Sequence, residues 1–85
     1  MGHHLTAFQG NVIDTVRMAI ELTIPGAEVL VEGGGGHYTI AVTSTTFAGM
    51  SRLESQRVVY GAITHLMEGD APPVHAVDRL TTRVP

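Results

Sequence analysis

Two histidines offer the first chemistry in this sequence: His37, directly after a run of glycines, and His75, in a Val-His-Ala triplet near the C-terminus. Imidazole is a common metal ligand and proton carrier, so two such rings brought together could hold part of a metal centre. A pair without carboxylate or thiolate is an incomplete set, since zinc takes three or four protein ligands. The chain has 0 cysteines, which excludes disulfides, zinc fingers and thiol catalysis. Any soft metal or cluster held here must take its thiolates from another molecule. Two readings of the pair stand open. Either the rings are a partial ligand set, or His75 is a structural strand-edge residue bonded to backbone and His37 a solvated loop residue.

Other residues that could do chemistry carry less. Gly33-Gly34-Gly35-Gly36 matches a G-x-x-G backbone clamp in letters, but that clamp joins two helices. No helix start and no lysine follow it, as a phosphate cradle would need. A hairpin turn is the simpler account. Ser44, Ser51 and Ser55 lack a nucleophile-elbow setting. Glu54 stands where a capping box uses it, with no second carboxylate paired to it. No catalytic residue is assigned, and the chain is expected not to be an enzyme.

The elements that must position the histidines follow from periodicity. Asn11 is placed to cap a helix over 12–24, whose Ile13, Val16, Ile20 and Ile24 recur at helical spacing before Pro25-Gly26 stops it. Residues 27–32 and 37–44 alternate as strands around the glycines and predict an antiparallel hairpin. Phe47 in the connector is expected to plug the core. Ser51-Arg52-Leu53-Glu54 is a capping box opening a helix over 52–68, packed through Val59, Ala62, Ile63, Leu66 and Met67. A third strand over 74–81 follows Pro72-Pro73, its alternation faltering at Asp78-Arg79. The order α-β-β-α-β makes strands two and three parallel, with a right-handed crossover. His37 opens one and His75 is the second residue of the other, so both should meet at one end of the sheet.

Composition bounds the rest. Eighty-five residues, 44% hydrophobic and 15% charged, make one globular domain with a modest core. Residues 1–10 are set aside as a tail, disordered or a tag remnant at Met1-Gly2-His3-His4, and 11–85 form the domain. No apolar run approaches the roughly 18 residues of a bilayer span, and no secretory pattern opens the chain. A cytoplasmic protein without membrane contact is expected. Net charge is −3, and all five bases are arginines. Phosphate-driven nucleic-acid binding prefers the opposite sign. Arg52, Arg57 and Arg79 are nevertheless the candidates for binding a partner or nucleic acid.

Several segments together resemble the BolA family, most closely its short IbaG-like branch: Ile24-Pro25-Gly26-Ala27-Glu28-Val29, Gly36-His37-Tyr38, Val42-Thr43-Ser44, Phe47-Ala48-Gly49-Met50-Ser51-Arg52, Gln56-Arg57-Val58-Val59-Tyr60 and Val74-His75-Ala76-Val77. The resemblance implies an α+β, class II KH-like fold without the nucleic-acid clamp, with a three-stranded mixed sheet and helices on one face. It implies an adaptor that pairs with a monothiol glutaredoxin and shares a glutathione-ligated [2Fe-2S] cluster, none being held tightly alone, in iron–sulfur trafficking or iron regulation. By that resemblance His75 is the foremost ligand, and His37 is the candidate for the second. The alternative it implies is a DNA-binding transcriptional regulator of the stress response, which the net charge disfavours. A homodimer is also allowed.

Overall fold

A computed structural model describes residues 2–85, with side chains from Val12 onward. The chain forms α1 (Gly2–Thr23), β1 (Glu28–Gly34), β2 (His37–Thr43), α2 (Arg52–Ile63) and β3 (Ala76–Arg83). Three-residue 3-10 turns lie at Thr45–Phe47 and Thr64–Leu66. The expected α+β order stands, and the sheet order is β1-β2-β3, antiparallel then parallel.

Several boundaries differ from expectation. Helix α1 begins at Gly2 rather than 12, so Asn11 lies inside it and not at its cap. Residues 3–11 contain no proline, the one residue that breaks a helix interior outright, and Leu5, Ala7 and Gln9 among them are good helix formers. The side chains of the expected tail, 1–10, lie outside the described residues. The buried stripe of α1 is Val12, Val16 and Ile20, continued by Ile24 just past the helix end, with Ile13 on its flank. Helix α2 ends at Ile63, and its last turn tightens to 3-10 geometry before Gly69, whose φ of 96° suits a chain reversal. Strand β3 starts at Ala76, so His75 sits just before the strand rather than second within it.

One face of the sheet carries the core. Tyr38, Ile40 and Val42 of β2, Val31 of β1 and Leu80 of β3 pack against both helices, with Phe47 and Val74 closing the ends. Ser55 is buried yet satisfied, its hydroxyl donating to the Arg52 carbonyl at 2.9 Å and meeting Thr82 Oγ1 at 2.6 Å. Gln56 Nε2 donates to the Leu80 carbonyl, fastening α2 to β3. No buried side-chain nitrogen or oxygen among the described residues lacks a partner, as a well-formed interior requires. On α1 the half-buried Arg17 reaches Asp14 and Glu21 at 3.2 and 3.3 Å, and these acids push its guanidinium pKa up, the Asp14 hydrogen bond most.

The capping box at the start of α2 is present in full: Glu54 N–H donates to Ser51 Oγ at 3.0 Å, and Ser51 N–H donates to Glu54 Oε1 at 2.7 Å. Ser51→Ala is expected to cost about 1 kcal/mol and lower Tm by roughly 4–8 °C. Thermal denaturation followed by circular dichroism checks it, and an unchanged Tm would show the cap to be idle.

Candidate functional site

The site is built on the hairpin turn. β1 runs two residues into the glycine run, so the turn itself is only Gly35 and Gly36 between the paired Gly34 and His37. Both turn residues have positive φ, 62° and 89°, as a type I′ hairpin turn requires. The Gly36 carbonyl accepts from His75 N–H at 2.8 Å and from Ala76 N–H at 3.0 Å. The turn is thereby stitched to the start of β3. Gly36 is itself buried, because the His75 ring lies over it. A Cβ at Gly36 would stand 2.8 Å from His75 Cγ and 3.0 Å from Nδ1. On the other side of His75, Val74 is fully buried and donates its N–H to the Leu66 carbonyl. An anchored neighbour, two backbone bonds and a glycine floor fix where this exposed imidazole stands.

His37 opens β2 directly opposite Ala76. The two rings meet edge to face with centroids 6.5 Å apart, as parallel neighbouring strands predict. A third residue joins them. The β2–β3 register slips between Tyr38 and Thr39, leaving Asp78 as an extra residue on β3. A bulge re-aims side chains, and here Asp78 Oδ1 accepts from His37 Nδ1 at 3.2 Å. With Nδ1 carrying the proton, the lone pair of His37 lies on Nε2, as in carboxylate-oriented metal ligands. The faltering alternation at Asp78-Arg79 was the sequence trace of this bulge. The Asp78 partnership itself had no other signal.

The arrangement places two imidazole rings, each a nitrogen donor, beside one another at one end of the sheet. No group of three or more His, Cys, Asp or Glu among the described residues could hold a metal ion. Two imidazoles are fewer donors than a closed metal site takes, and they are half of the four ligands that a [2Fe-2S] cluster takes.

The candidate arginines are not brought together. Arg52 and Arg57 are exposed on α2, about 140° apart around its axis, and Arg79 is exposed on the sheet, in the other layer. A cavity of about 400 Å³ lined by Phe47, Met50, Arg52, Leu80 and Arg83 lies at the far end of β3 from the histidines. Among the described residues no helix is long and apolar enough to cross a membrane.

The family of BolA-like proteins matches residues 7–84. A BolA protein homologue from Coxiella burnetii is 32% identical over 85% of this chain and 88% of its own, with a TM-score of 0.70. The solution structure of BolA1 from Mus musculus is 30% identical over 87% of this chain and 65% of its own, TM-score 0.64. BolA1 from Arabidopsis thaliana, at 18% identity over 86% and 90%, shares the fold with a TM-score of 0.72. No curated protein sequence matches. With the profile spanning nearly the whole domain and the α-β-β-α-β frame in agreement, the chain belongs to the BolA-like family.

Proposed function

We propose that this protein is a non-enzymatic adaptor that docks on a monothiol glutaredoxin and lends imidazole nitrogen to a glutathione-ligated [2Fe-2S] cluster, in iron–sulfur trafficking or iron regulation. The observation that carries this is the exposed His75 ring, fixed over Gly36 and beside His37 in a chain with 0 cysteines. Both rings are open to a docking partner, and neither has enough neighbours to close a metal site alone.

The chain's own part is coordination. His75 presents a ring held by the turn, and His37 offers Nε2 while Asp78 keeps the proton on Nδ1. Nitrogen ligation raises the reduction potential of such clusters, and the cluster's iron–sulfur chemistry belongs to the shared centre. Docking would exchange one set of ligands for another, so the partner's cluster becomes altered or more easily passed on.

Co-expression with a monothiol glutaredoxin in the presence of glutathione tests the proposal. A one-to-one complex should purify with a visible spectrum distinct from that of the glutaredoxin homodimer. A glutaredoxin that keeps its own spectrum and elutes apart would overturn it. DNA supplies the contrasting measurement. Because net charge is −3 and the three candidate arginines point to separate surfaces, no sequence-specific complex tighter than roughly 10⁻⁸ M is expected at physiological salt. Gel shifts across a salt series check this, since phosphate-driven binding weakens steeply as salt rises.

A further inference from the structure

The sheet face turned away from the helices is uncovered and patterned. Its side chains fall into transverse rows set by strand register: Glu28–Thr43–Arg83 and Glu32–Thr39–Arg79 flank a central row, Leu30–Ala41–Thr81. Both acids stand on the β1 edge and both arginines on the β3 edge. None of the four forms an ion pair with another described residue. Between them Leu30 is 58% exposed, while the other central side chains are small.

We propose that this face pairs with the same face of a second copy of this chain. A two-fold axis parallel to the strands lays β1 of one protomer over β3 of its partner. Glu28 then opposes the partner's Arg83, and Glu32 opposes the partner's Arg79, each contact occurring twice, as an isologous interface requires. Leu30 meets the partner's Thr81, and the Ala41 residues face each other across sheets packed about 10 Å apart. The other face-to-face two-fold, perpendicular to the strands, would set acid on acid and base on base. Charge therefore selects one orientation.

The face is small. Three strands over five or six residues cover roughly 300 Å², against about 800 Å² per partner in a stable interface. The dimer is accordingly weak and reversible, to be sought at total concentrations of about 0.1 to 1 mM.

Sedimentation equilibrium across that concentration range tests it. The wild-type mass should rise from monomer toward dimer, and added salt should lower it. Glu32→Arg alone sets arginine against the partner's Arg79, and Arg79→Glu alone sets acid against acid. Each should weaken association about tenfold or more. An equimolar mixture of the two variants restores opposite charges at both contacts and should associate at least as well as wild type. A wild-type chain that stays monomeric to about 1 mM, or single variants that dimerise unchanged, would overturn the proposal and leave the face to an unlike partner. Because the substituted residues are exposed, all these variants should fold, which circular dichroism checks.

Discussion

His75→Ala is expected to leave the fold intact and abolish the distinct spectrum of the glutaredoxin complex. The ring is exposed, so its removal takes no core contact away, and surface changes of this kind alter stability by about 0.5 kcal/mol or less. The backbone bonds that tie His75 and Ala76 to Gly36 do not involve the side chain. Docking should therefore survive while the cluster loses its best-positioned nitrogen, and the absorbance should revert to that of the glutaredoxin homodimer. Imidazole added at millimolar levels should partly restore the mixed spectrum, because the vacated position opens to solvent. His37→Ala should have a smaller effect, since that ring is steadied only by a carboxylate as exposed as itself. Asp78→Asn should weaken the cluster complex about tenfold, in line with the loss of a carboxylate that orients a ligand. Unchanged spectra in the His75 variant would remove the residue from the centre and reduce the site to a docking surface.

Much of this frame was legible in the sequence. Alternation gave the three strands, the Ser51–Glu54 box placed α2, and the crossover rule put His37 and His75 at one sheet end. Missing were features that depend on tertiary approach. Nothing local tells that β1 consumes two of the glycines and leaves a two-residue turn, because Gly33 and Gly34 carry no side chain to reveal an alternation. That choice is set by the pairing of Gly33 with Tyr38 and Gly34 with His37. Likewise, β3 starts one residue after His75, since the Gly36 carbonyl accepts from His75 and Ala76 together before the regular ladder begins. The bulge left a visible irregularity at Asp78-Arg79, but not the side chain that it would deliver to His37. The start of α1 is hidden in the sequence because Asn11 has the chemistry of a cap yet lies inside the helix.

Two glycines of that hairpin should respond to the same substitution in opposite ways. At Gly33 the φ is 128°, and a Cβ would fall 2.2 Å from the His37 carbonyl oxygen and 2.9 Å from Tyr38 Cα. Both obstacles are backbone of the paired strand, so relief requires the β1–β2 ladder to part. Gly33→Ala should cost at least about 3 kcal/mol, a large share of the roughly 4–13 kcal/mol available to a domain of this length. Tm should fall by more than about 10 °C. At Gly36 the φ is 89°, but the obstacle is the His75 ring, a side chain that can swing away. Gly36→Ala should therefore keep the fold, losing about 1–2 kcal/mol to backbone strain and displaced packing. Its cluster complex should nonetheless fail nearly as His75→Ala does, because the ring has lost its floor. A double-mutant cycle separates the two costs. In a His75→Ala background the collision is gone, and Gly36→Ala should cost less by the energy of that contact. Equal costs in both backgrounds, measured by urea denaturation, would mean that Gly36 is present for its backbone angle alone and does not seat the imidazole.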